Sequence, residues 1–150
     1  MVESAESLIT ECYRIARSAL QKGNEPFGAL LARDGRIIMR AENTVSTDGD
    51  LTKHAELNLI SQAVRSLASE TLSHCTLYAS TEPCVMCAGA IYWAGIPRVV
   101  YGCSTEALAR ITGGRFAVPC REVFAKGGRE IEVIGPIAEE EGLQIHREFW

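Results

Sequence analysis

Two short segments carry the residue types that metal-assisted hydrolysis requires: His54-Ala55-Glu56 and Pro83-Cys84-Val85-Met86-Cys87. One imidazole and two thiolates can occupy three corners of a zinc tetrahedron and leave the fourth for water, the arrangement that separates catalytic from structural zinc. Two thiolates and a neutral imidazole also cancel the charge of the ion. Zinc held this way lowers the pKa of water toward ~7 and makes it a nucleophile for an electron-poor carbon. Glu56 is separated from His54 by one residue, so it can stand in the first turn beside the metal without ligating it. There it can take a proton from water and return it to a ring nitrogen and a leaving amine. Neither His74 nor His146 has a second metal-type residue at ligand spacing, which favours an open three-ligand site, and both are read as surface residues. A C-x-x-C pair by itself also fits a redox dithiol or two buried cysteines. The glycine and aromatic neighbours of a redox motif are absent, Val85-Met86 makes a plain apolar turn, and the upstream His-x-Glu tips the reading to hydrolytic zinc. Cys12, Cys75, Cys103 and Cys120 each fall in an apolar periodic segment and are read as core.

For the two segments to meet, each must open a helix beside the same sheet edge, where helix N-termini favour thiolates. Leu8, Cys12, Ile15 and Ala19 recur at helical spacing up to Gly23, which predicts a first helix. Phe27 to Ala32 and Arg36 to Ala41, joined by Asp34-Gly35, predict a hairpin with a tight turn. After a polar loop from Asn43 to Thr52, Leu57, Ile60, Val64 and Leu67 mark the face of a second helix headed by His54. Cys75 to Ser80 alternates as a strand, and Pro83 suits a first helical position of the helix that carries Cys84 and Cys87 and stops at Gly95. Arg98 to Gly102 reads as a buried strand. Helices at Thr105 to Ile111 and about Cys120 to Ala125, a strand at Glu130 to Ile134 and a helix from about Ile137, weakened by Gly142, complete the chain. This alternation predicts an α/β fold, a three-layer α/β/α sandwich on a mixed sheet led by an antiparallel hairpin.

Residues 1–150 are expected to form a single domain, since no repeat, low-complexity tract or linker interrupts them and a chain of this size buries roughly two-thirds of its surface without bridges. Fifteen basic against nineteen acidic residues give a net charge of −4, which disfavours a nucleic-acid partner held through many phosphates. No apolar run approaches the roughly 18 residues of a membrane span, the acidic start lacks a secretion signal, and a cytoplasmic location is expected.

These motifs, in this order, resemble the cytidine/deoxycytidylate deaminase-like superfamily, whose zinc signature joins H-x-E to P-C-x-x-C. The resemblance covers residues 5–135 and extends through Pro26-Phe27-Gly28-Ala29, Asn43 and Thr81-Glu82-Pro83-Cys84-Val85-Met86-Cys87-Ala88-Gly89-Ala90-Ile91. It implies a five-stranded sheet between helix layers, Zn²⁺ on His54, Cys84 and Cys87, Glu56 as the proton shuttle and catalytic residue, Asn43 on the base edge, and a homodimer.

Within the superfamily, Ala90-Ile91-Tyr92-Trp93-Ala94 is similar to the stretch of bacterial guanine deaminases in which a tryptophan lines the pocket, and Phe27 places an aromatic against the base. Phe27, Asn43, Ala55, Trp93, Glu106, Glu148 and Trp150 are therefore the expected substrate-binding residues, Glu106 and Glu148 as acidic partners of a base amino group. Phe27 and Trp93 also suit core packing or, for Trp93, a subunit contact. The Phe149-Trp150 pair suits a pocket lid, a subunit contact or docking on the core. The expected reaction is hydrolytic deamination of a free nucleobase, guanine to xanthine first, with release of ammonia. Deamination of adenosine in tRNA, or of cytosine, a nucleoside or a triazine, is the enzymatic alternative, and a non-enzymatic zinc module the different-class one.

Overall fold

The computed structural model describes residues 2–150. Its elements run, in chain order, α1 (Ala5–Gln21), β1 (Gly28–Arg33), β2 (Arg36–Glu42), α2 (Val45–Asp48), α3 (Ala55–Ser66), α4 (Ser69–Leu72), β3 (Thr76–Thr81), α5 (Val85–Ala94), β4 (Arg98–Cys103), α6 (Thr105–Thr112), α7 (Cys120–Phe124), β5 (Glu132–Ile134) and α8 (Glu139–Phe149). The five strands form one sheet in the order β2-β1-β3-β4-β5. β1 pairs antiparallel with β2 and with β3, whereas β3–β4 and β4–β5 are parallel. The mixed sheet and its leading hairpin agree with the sequence expectation. Asp34 and Gly35 both take positive φ, at 52° and 74°, as a two-residue hairpin turn of the Asp-Gly kind requires.

Side chains of period two sort the strands between two cores. Ala29, Leu31, Leu77, Ala79 and Val99 face α3, α5 and α7, while Leu30, Ala32, Tyr78 and Val100 face α1 and α8. Helices thus cover both faces, giving the three-layer sandwich. Among the described residues no helix is long and apolar enough to cross a membrane.

Two glycines set how closely the layers approach. A Cβ on Gly28 would stand 2.5 Å from the Cys12 carbonyl oxygen and 2.7 Å from the Ala16 nitrogen, so β1 lies against the backbone of α1 at the point where Phe27 enters the sheet. Gly142, expected only to weaken the last helix, instead lets α8 settle on Cys103 and the ring of Tyr13, where a Cβ would clash with both. The Tyr13 hydroxyl donates to the Ile137 or Ala138 carbonyl, each 3.0 Å away, and anchors the start of α8.

Four local expectations are corrected. The buried face of α3 is Ala55, Glu56, Leu59, Ile60 and Ala63; Leu57 and Leu67 are half-buried and Val64 is exposed. Pro83 precedes α5 instead of opening it, because Cys84 is the N-cap. The polar loop before α3 and the connection after it each contain one short turn of helix, α2 and α4. His146, expected at the surface, is 2% exposed.

Candidate active site

Strand β3 ends at Thr81 and the chain turns through Glu82-Pro83 into α5, so Cys84 caps that helix and Cys87 projects from its first turn. His54 caps α3. Both helix N-termini therefore converge where their unpaired amides and positive dipole ends favour negative ligands. The ligand atoms of His54, Cys84 and Cys87 all lie within 4.8 Å of one another. His54 Nδ1 stands 3.5 Å from Cys84 Sγ and 3.6 Å from Cys87 Sγ. With Zn–N and Zn–S bonds of about 2.0 and 2.3 Å, the N···S edge of a tetrahedron is about 3.5 Å, so the three side chains already have the spacing zinc demands.

The electrostatics fit the same purpose. Cys84 is lowered to about 4, first by a hydrogen bond from the Cys87 thiol, against the cost of burial, and further by the His54 imidazole and the Cys87 backbone amide. Cys87 is pushed up, because its proton is shared with the Cys84 thiolate and it is buried. His54 is raised, chiefly by its hydrogen bond to Cys84. Without metal the trio thus retains a proton that a zinc ion must displace, since only thiolate and neutral imidazole ligate. Zinc binding should accordingly release protons at pH 7, and affinity should rise about tenfold per pH unit for each proton released. Calorimetric titration in buffers of differing ionisation enthalpy measures that count; binding with no proton release would contradict the shared-proton arrangement.

Glu56 follows on the buried side of α3 and is 5% exposed. Burial, reinforced by the Cys84 charge, raises its carboxyl to about 7, although His54 and hydrogen bonds from its own amide and Cys87 pull the other way. A carboxyl poised near neutrality beside a three-ligand metal set can both accept and return a proton.

The expected substrate-binding residues divide. Phe27 packs against the core that contains Ala55, and its carbonyl accepts from the Asn43 amide at 3.1 Å. Asn43 is fully buried; its Oδ1 accepts from Val45 N at 3.0 Å and its Nδ2 donates to Glu25 at 3.3 Å. Ala55 directly follows His54 at the start of α3, and the Glu25 charge adds a little to the upward shift of His54. Trp93 is 85% exposed, its ring meeting Tyr92 edge-on. Glu106 and Glu148 point elsewhere, Glu106 to Arg110 and Glu148 to Arg17 on α1. Trp150 reaches the site indirectly, its indole donating to His146, whose ring lies 5.2 Å from Phe27.

Glu82 was legible only as part of a motif, with no role. It is 6% exposed, and its two carboxylate oxygens accept from Thr105 N at 3.0 Å and Cys120 N at 2.8 Å. It ties the metal-bearing turn to the starts of α6 and α7, and removing it would leave two amide donors unpaired at about 1–3 kcal/mol each.

Residues 2–103 match the family model described as the cytidine and deoxycytidylate deaminase zinc-binding region. The chain is 36% identical over 148 residues to a probable cytosine deaminase of Schizosaccharomyces pombe, covering 95% of this chain and 90% of that protein. It is 49% identical over 76 residues to the guanine deaminase of Bacillus subtilis, covering 51% of this chain and 49% of that protein. A solved tRNA:A34 deaminase superposes with a TM-score of 0.71 at 32% identity, covering 93% of this chain and 98% of that one. Fold and site together define a zinc-dependent hydrolytic deaminase. The chain belongs to the cytidine and deoxycytidylate deaminase zinc-binding family.

Proposed function

We propose that the chain deaminates a free nucleobase, guanine to xanthine before other bases, with His54, Cys84 and Cys87 as the zinc ligands and Glu56 as the proton shuttle. Zinc, when bound, supplies the Lewis acidity that makes water acidic enough to be deprotonated near neutral pH. Glu56, buried behind the ligands, takes that proton and delivers it to the ring nitrogen as the oxygen adds to the amino-bearing carbon. It then carries a second proton to the amine, so that ammonia leaves and a carbonyl remains. The half-buried Phe27 supplies an aromatic wall, and the fully buried Asn43, with one Nδ2 hydrogen left uncommitted by its own partners, would reach the base edge once the side chains around it shift.

The observation that carries the choice of a free base over tRNA is the neutralisation of the basic residues. Arg14, Arg17, Lys22, Arg33, Arg40, Arg98, Arg110 and Arg147, eight of the fifteen cations in the sequence, each lie within 4.0 Å of one of seven carboxylates, Glu11 serving both Arg14 and Arg40. Arg129 is spent on the Ile91, Tyr92 and Ile96 carbonyls. A transfer RNA needs several free cations in a patch, whereas a base needs none. The 49% identity to a guanine deaminase of Bacillus subtilis over half the chain supports guanine, beside the 36% identity to a probable cytosine deaminase over nearly all of it. Ammonia release from guanine, cytosine, adenine, their nucleosides and a triazine tests the reading, with guanine expected to give the largest kcat/KM. Inosine formed in tRNA with steep salt dependence, and no turnover of any free base, would overturn it.

A homodimer belongs to the same proposal. Trp93, 85% exposed on α5, and the half-buried Met86 two turns before it leave apolar surface on that helix open to solvent, which suits a subunit contact. Light scattering at micromolar concentration should give twice the chain mass; a monomer would refute it.

A further inference from the structure

His146 is buried and polar, and the zinc chemistry does not use it. It lies on α8, yet it touches both segments that build the candidate site. Its Nε2 is 2.8 Å from Thr81 Oγ1, at the end of β3 and three residues before Cys84. Its ring meets that of Phe27 in a tilted contact, 5.2 Å between centroids and 56° between planes, and the Phe27 carbonyl holds the Asn43 amide. The Trp150 indole donates to its Nδ1 at 3.1 Å. An indole nitrogen only donates, so Nδ1 must be the acceptor and the imidazole proton must sit on Nε2. Nε2–H therefore donates to the Thr81 hydroxyl.

We propose that His146 is a positioning residue of the deamination site, bracing the Phe27–Asn43 segment that would hold the base at a fixed distance from the Thr81–Cys84 segment that holds the metal, with Trp150 locking its tautomer. The proposal rests on the reading that Phe27 and Asn43 bind the base. An imidazole this deep costs free energy unless both nitrogens are satisfied, and a leucine or phenylalanine would fill the same space without that demand. Both nitrogens are satisfied, Nδ1 by Trp150 at the end of the same helix and Nε2 by Thr81 on β3. Loss of the brace lets the base shift relative to the metal, and displacements of about 1 Å between reacting groups cost up to about 100-fold in rate.

Three variants separate bracing from packing. His146→Gln sets an amide nitrogen near the Nε2 position and keeps a donor for Thr81; His146→Asn sets an oxygen near Nδ1 and keeps only the acceptor for Trp150; His146→Leu keeps neither. With zinc content matched to the wild type and assays run well below each melting temperature, kcat/KM should stay within about threefold for the Gln variant. It should fall about 10- to 100-fold for Asn and Leu. Unchanged kcat and KM in all three, whatever happens to melting temperature, would overturn the proposal, as would equal losses in Gln and Asn. Nitrogen-15 imidazole spectra of the wild-type protein give a readout independent of activity: the proton is expected on Nε2, and a proton on Nδ1 overturns the proposal. Phe27→Ala distinguishes failure of the underlying reading, because an unchanged KM there removes the base site itself while leaving the His146 results interpretable.

Discussion

Glu56→Gln is expected to retain about one zinc per chain while losing at least about 10³-fold in kcat, the upper part of the range for removal of one general acid–base group. The large effect follows from the residue acting twice, first on the water and then on the departing amine. The amide matches the carboxylate in volume, so the buried side of α3 stays filled and the ligand trio keeps its spacing. Elemental analysis beside steady-state kinetics decides the matter. A variant that keeps both zinc and near-normal turnover removes Glu56 from the reaction, and one that loses the metal shows that its part is structural.

Cys87→Ser should produce the complementary result. Cys87 is fully buried in the first turn of α5, with its sulfur 3.6 Å from His54 Nδ1. An alcohol there remains protonated where a thiol would ionise against the metal, so the remaining two ligands hold zinc poorly. Zinc content is expected to fall well below stoichiometric and kcat to drop at least about 10³-fold, because water then returns toward its unassisted acidity. Thermal unfolding adds an independent measure. Zinc at about 100 times its Kd stabilises the wild type by roughly 2.7 kcal/mol through linkage, and the variant should show no such shift on zinc addition. Full zinc occupancy in the Ser variant would exclude Cys87 as a ligand. The pair of substitutions thus separates holding the metal from using it.

Much of this site was legible in the chain because its chemistry is local. His54 and Glu56 fall within three residues, Cys84 and Cys87 within four, and each segment opens a helix that hydrophobic periodicity and glycine stops already marked. The misjudged face of α3 has a physical cause. Two of its buried positions are the small Ala55 and Ala63, and a third is the charged Glu56, so the side that faces the core carries less apolar weight than Leu57 and Val64 do. A buried carboxylate, the proposed proton shuttle, had displaced the expected pattern. His146 stayed hidden because its meaning lies in partners elsewhere. Thr81 is 65 residues upstream, and nothing in the spacing of α8 announces a bond to the end of the central strand β3. Pro83 was misplaced by one turn chemistry competing with another: proline suits a first helical position, but with Cys84 as the cap both thiols come within reach of the unpaired amides.

The burial of the cysteines carries one more consequence. Cys12, Cys75, Cys87, Cys103 and Cys120 are at most 1% exposed, and Cys84 alone is partly open. Because Cys84 is also the thiol held far into its ionised form, it is the sulfur an alkylating or oxidising reagent meets first once zinc departs. Zinc held by this trio would therefore shield the one thiol that is both ionised and accessible, so that metal occupancy and the reactivity of Cys84 would change together.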